Sequence, residues 1–170
     1  KEPVLVLRNL SMDQYAGGAV AISRHLSDFC KKVTLLTMIG EKKEYRKFID
    51  DSTPDNIKAK YIYKDFSPTI VKRRYVDSVS KNKSLGVYSI NDSPLNEKNE
   101  SQFIKYLDAE IPRHDLVIIS DYGHGFISEK IANKINTLSK SISLNAQLNA
   151  ANLGMHTINN YRNIETVVIN

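Results

Sequence analysis

The chain has 170 residues, 41% of them hydrophobic and 25% charged, the balance of a globular protein long enough to bury one core. No apolar run approaches the roughly 20 residues that span a bilayer, and no signal-peptide pattern is present, so no membrane partner is expected. The net charge of +5 is scattered over Lys31-Lys32, Lys42-Lys43, Lys72-Arg73-Arg74 and Lys81-Asn-Lys83, without zinc-ligand spacing or an aromatic RNA-binding signature, which argues against nucleic acid and for a basic surface or an anionic small ligand.

In chain order, Val4-Leu-Val-Leu7 reads as a short apolar strand. The chain opens inside it, so a natural amino terminus is expected upstream. A turn-like stretch ending in Gly17-Gly18 leads into a helix over residues 19–29, where Ala19, Ile22, Leu26 and Phe29 recur at helical spacing. The lone Cys30 at its end excludes an intramolecular disulfide and fits a reducing, cytoplasmic compartment. Buried packing is expected of it rather than reactivity. Val33-Thr-Leu-Leu-Thr-Met-Ile39 is a buried strand closed by Gly40, and residues 41–49 form a second, charged helix. This rhythm belongs to an α/β fold with parallel strands.

Residues 59–63, 69–76 and 84–90 are β-rich runs with no helix between them. The polar stretch 78–83 makes the last two a hairpin, an antiparallel patch set apart from the main sheet. The α/β rhythm then resumes with a helix over 96–107, a strand at Leu116-Val-Ile-Ile119 and a helix over 128–138 capped by Ser128. Residues 142–144 and 167–169 are two further strands.

Four stretches offer chemistry. Gly17-Gly18 before a helix lets backbone approach a ligand and presents unpaired N–H groups, or is a plain turn. In the strand Val71-Lys-Arg-Arg-Tyr75, Lys72 and Arg74 point to one face and Arg73 to the other. Two cations on one face suit a phosphate or a polyol, or serve as the charged cover of an exposed strand. Ser120-Asp-Tyr-Gly-His-Gly125 follows an apolar strand, where ligands of α/β sheets collect, which favours Asp121 and His124 as ligand-facing groups. Asn145 and its neighbours after the next strand either bind a ligand or support turns. His25, His114 and His156 lack partners at ligand spacing and read as structural.

The order of four motifs resembles the ribokinase (PfkB-type) carbohydrate kinases, and within them the heptose-phosphate kinase-like members. The motifs are Gly17-Gly18-Ala19 opening a helix, Val33-Thr-Leu-Leu-Thr-Met-Ile-Gly40, Pro68-Thr-Ile-Val-Lys-Arg-Arg74 and Ile119-Ser-Asp-Tyr-Gly-His-Gly125. The resemblance implies a parallel sheet flanked by helices, an antiparallel β lid around residues 3–9 and 58–91, and a single partial domain over residues 1–170. It implies phosphoryl transfer from ATP, with Mg2+, to a hydroxyl of a sugar or sugar phosphate. Gly17, Gly18, Lys72, Arg74 and Asp121 would then meet the sugar. Tyr122, His124, Asn145 and Asn170 would border the nucleotide and phosphates, Asn170 as the start of an Asn-x-x-Glu motif.

Departures from the pattern bear on activity. Val20-Ala21 stands where the family often has Asn, His124 where a lysine is common, and Asn145 where Asp is usual. No Gly-x-Gly-Asp occurs, and its aspartate is the family's catalytic base; the family's first strand is also missing before Lys1. The expectation is a fragment, incomplete at both ends and inactive as a kinase by itself. The alternatives are a non-catalytic sugar-phosphate-binding domain and a module that forms a homodimer through the β lid.

Overall fold

The computed structural model of the chain describes residues 3–4, 6–147 and 158–169. Helix α1 (Gly18–Ser27) leads into strand β1 (Val33–Gly40), and α2 (Arg46–Asp51) carries the chain over to β2 (Ile57–Lys64). A helical crossover returns a strand in parallel. Accordingly Val33 lies opposite Ile57 and Gly40 opposite Lys64 in one continuous register.

Alternation along β2 explains which layer covers which face. Ile57, Tyr61 and the partly buried Ala59 and Tyr63 join Val20, Val33, Leu35, Ile39 and Ile49 in a core beneath α1 and α2. The even positions are Lys58, Lys60, Ile62 and Lys64, and of these Ile62 enters a second core with Phe103 and Leu107. Those two residues belong to α3 (Glu97–Glu110), so β1 and β2 form a layer between helices. Lysines on a covered face require partners. Lys60 Nζ meets Glu110 Oε1 at 2.5 Å, and Lys64 Nζ donates to the carbonyls of Asn91 and Ser93, both at 2.6 Å.

The second parallel sheet has the order β5-β6-β7, formed by Val117–Asp121, Ile142–Ala146 and Thr166–Ile169. Its Ile119, Ile142 and Leu144 pack on α3 and on Ile131, Ala132 and Ile135 of α4 (Glu129–Leu138). Both helices begin on side-chain caps: Asn96 accepts from the Asn99 N–H, and Ser128 from the Ile131 N–H. Between the parallel sheets, β3 (Val71–Val76) and β4 (Lys83–Ser89) form the antiparallel hairpin, with a register shift at Tyr75/Val76. The architecture is α/β, parallel strands with helices alongside and one small antiparallel sheet, consistent with part of a ribokinase-like fold.

Four local expectations are corrected. The run 59–63 is the centre of β2 in a parallel sheet, and does not belong to the antiparallel patch. Its helix-free link to β3 had grouped it with the hairpin, whereas α2 before it sets its direction. Val4, Val6 and Leu7 form no strand and are exposed.

The third correction concerns α1, which stops at Ser27. Asn56 Nδ2 binds the carbonyls of Ser27 and Cys30 where the chain turns away, leaving Phe29 87% exposed and Cys30 exposed too. The fourth is the helix expected over 41–49, which begins only at Arg46. Lys43 and Tyr45 adopt φ of 60° and 63°, a left-handed conformation that no helix continues through. The Glu44 carbonyl is recruited instead by Thr69 Oγ1 at 2.8 Å.

Candidate functional site

The hairpin is rooted where β1 ends. Thr69 Oγ1 accepts from the Gly40 N–H at 2.9 Å while donating to Glu44. A Cβ on Gly40 would fall 2.5 Å from the Pro68 carbonyl carbon, so only glycine lets the two segments touch. Along the hairpin, Lys72 faces Tyr88 and Arg74 faces Gly86 across the strands. Lys72, Arg74, Tyr88 and Gly86 thus share one face and Arg73 takes the other, as strand alternation predicts. Arg74 stacks over the Tyr88 ring with its guanidinium carbon 5.7 Å from the centroid.

Lys72 reaches the turn after β5. Its Nζ lies 3.1 Å from His124 Nε2, and His124 Nδ1 lies 2.8 Å from Asp92 Oδ1. His124 is buried, at 8% exposure. The loop carrying Asp92 is fixed from two sides. The Asn91 side chain accepts from the Ser93 N–H in an Asx turn at 3.0 Å, and Lys64 binds the carbonyls on either side of Asp92. Burial lowers the Lys64 pKa from its usual value, opposed by the negative charge of Asp92.

Tyr122, in the same turn, stands beside the start of α1: a Cβ on Gly18 would lie 3.7 Å from its ring. Gly18 has φ of +54°, which favours glycine, whereas Gly17 is extended and a Cβ there would meet nothing within 4 Å. Gly17 caps α1 without a side chain, and the first turn holds no acidic residue. Neither the cap residue nor the first turn therefore supplies a side-chain anion to the positive end of the helix.

Lys72 and His124 thus meet, Tyr122 of the same turn borders Gly18 at the start of α1, and Arg74 lies two residues further along the hairpin face. Asp121 does not join them. It is buried, its Oδ1 accepts from the Gly123 N–H at 3.0 Å, and its Oδ2 accepts from the Tyr161 hydroxyl at 2.7 Å. Burial, and then the Asp121 charge, drives the Tyr161 pKa upward, so this hydroxyl stays a donor. Asn145 sits on β6 opposite Ser120, and its Oδ1 has no hydrogen-bond partner among the described residues. Asn170 lies outside the described residues.

Sequence reading missed Asp92 and Lys64. A signal for each exists in retrospect: an Asn-Asp-Ser turn directly after a strand, and lysines alternating on a strand buried on both faces.

No family model matches the chain. Curated relatives do. A protein of Hyphomonas neptunium named Bifunctional protein HldE is 24% identical over 143 residues, covering 84% of this chain and 29% of its own length. The proteins of that name from Campylobacter jejuni strain RM1221 and Wolinella succinogenes are 25% and 26% identical, over 84% and 82% of the chain. In each case the chain spans 29% of the relative's length. The chain is a homologue of the HldE proteins, in keeping with the resemblance of its motifs to the heptose-phosphate kinase-like members of the ribokinase family.

Proposed function

We propose that the chain is the sugar-binding part of an ATP-dependent sugar or sugar-phosphate kinase, inactive as a kinase by itself. The observation that carries the reading is the contact of Lys72 from the hairpin with His124, in the β5 turn whose Tyr122 borders Gly18 at the start of α1. A cation beside a turn that borders a helix start suits a phosphate-bearing polyol. Kinship with the HldE proteins supports it.

The residues present do not fit ATP and Mg2+ unaided. Among the described residues no group of three or more His, Cys, Asp or Glu could hold a metal ion, and both Asp121 oxygens are engaged. Phosphoryl transfer rests on positioning and charge neutralisation at the transferred group. What this chain supplies is orientation of the acceptor: Lys72 and the α1 N–H groups bind it, and Tyr122 walls it.

Gly17→Val separates binding from folding. Its extended backbone accepts any residue and the added atoms meet open space, so the melting temperature should hold. Titration calorimetry with sedoheptulose 7-phosphate should show affinity reduced about tenfold or more, since the side chain fills the ligand's space. Unchanged affinity, or wild-type protein that binds no better than to sedoheptulose, would sink the reading. A coupled ATPase assay with the sugar phosphate should stay at background.

The hairpin favours a second role. All of β4 is exposed, and Leu85 and Val87 on its Arg73 side form an uncovered apolar face that invites pairing. The occupant is a second copy of this chain through the same hairpin, an isologous contact. Light scattering should report a dimer that Val87→Lys converts to monomer; a dimer that survives the substitution rules out this face.

A further inference from the structure

The contacts of His124 fix its chemistry. Asp92 as a carboxylate only accepts hydrogen bonds, so Nδ1 of His124 must donate across the 2.8 Å contact. The Lys72 ammonium only donates, so Nε2 must accept across the 3.1 Å contact. One neutral tautomer satisfies both, with the proton on Nδ1. A doubly protonated ring would set two donors and two positive charges against each other at Lys72.

We propose that Asp92 and His124 are positioning residues for the Lys72 ammonium, holding it where it meets the phosphate of the bound sugar. This rests on the sugar-phosphate reading of the site and adds the means by which a lysine on a separate hairpin is aimed. A lysine side chain has four rotatable bonds and gives up their freedom when it is fixed. An acceptor on the β5 turn selects one arrangement before the ligand arrives, which lowers the ordering cost of binding.

The chain of support is continuous. Lys64, on the buried face of β2, binds the carbonyls flanking Asp92. Asp92 orients His124, and His124 receives Lys72. Gly125 closes the assembly, its Cα set against the carbonyls of Asp92 and Ser93 and its own carbonyl accepting from the Leu95 N–H at 3.2 Å. Each link joins a different element, so the hairpin is registered against both parallel sheets through one imidazole.

Two measurements test this. In nitrogen-resolved NMR of the histidine ring near neutral pH, wild-type His124 should show a protonated Nδ1 and an unprotonated Nε2. Lys72→Met should move the Nε2 signal, and Asp92→Leu should release the tautomer to a mixture while Asp92→Asn, which keeps an acceptor, retains it. A wild-type ring with its proton on Nε2 would overturn the proposal outright, without recourse to any variant.

The second measurement is titration with sedoheptulose 7-phosphate. His124→Leu and Lys72→Met should each weaken binding about tenfold or more, as expected for losing a charge-assisted contact. The double variant should be no weaker than Lys72→Met, because both changes remove one act of positioning. Lys72→Met losing affinity while His124→Leu binds like wild type would overturn the positioning role and leave the sugar-phosphate reading standing. Wild type that binds no sugar phosphate would defeat that reading, and the ring spectrum would still decide whether Asp92 and His124 hold Lys72.

Discussion

Gly125 lies against the Ser93 carbonyl with no room for a side chain between them. Its φ of +72° is one that other residues rarely adopt, and a Cβ would also come within 2.6 Å of the Asp92 carbonyl oxygen. Gly125→Ala should therefore cost about 2 kcal/mol or more from backbone strain and overpacking together. A urea titration showing a midpoint unchanged from wild type would contradict this close approach.

The pair Lys60–Glu110 joins β2 to α3, with side chains 20% and 8% exposed. Lys60→Met leaves a buried carboxylate without its partner and should destabilise by about 3 kcal/mol. Combining it with Glu110→Leu should recover most of that loss, since an apolar pair of similar size suits the site. Denaturant melts of the two singles and the double give the coupling directly.

Acid should weaken the α3 contacts first. The hydrogen bond from Lys60 lowers the Glu110 pKa, and those from Ser128 and then Lys130 lower that of Glu100, both from a usual value of 4.5. Folded pKa values below the unfolded ones mean that the unfolded state binds more protons as pH falls. The stabilisation is complete above 4.5 and is lost as pH drops through the folded values. Stability measured between about pH 6 and 3 should fall less steeply in Glu110→Gln, which has one such proton fewer to take up. An identical slope would contradict the assignment.

Tyr161→Phe tests the task given to Asp121. Removing the hydroxyl strips Asp121 Oδ2 of its donor in a buried site and should cost about 2 kcal/mol. Calorimetric melting checks the loss. A neutral effect would mean that Asp121 is not held from this side.

What the sequence disclosed follows the range of the interactions involved. Local signals were legible: Ser128 capping α4, the polar turn of the hairpin, and alternation placing Lys72 and Arg74 on one face. Long-range partnerships were not. Nothing near residues 41–45 shows that Thr69 will take the Glu44 carbonyl and delay α2, and nothing near Phe29 shows that Asn56 will end α1. At the candidate site the motif residues Lys72 and His124 stood out by type and place. Asp92 and Lys64 act across 32 and 27 residues and emerge only when β2, the 91–93 loop and the β5 turn are assembled.

The exposure of β4 has a consequence for how such a protein can change. Its residues contribute little burial to either core, so substitutions there should be nearly silent in stability. Folding and recognition then draw on largely separate sets of positions. Strand β4 is free to accumulate variation, and with it new ligand or partner preferences, while β3 stays tied to the parallel sheets through Thr69 and Lys72.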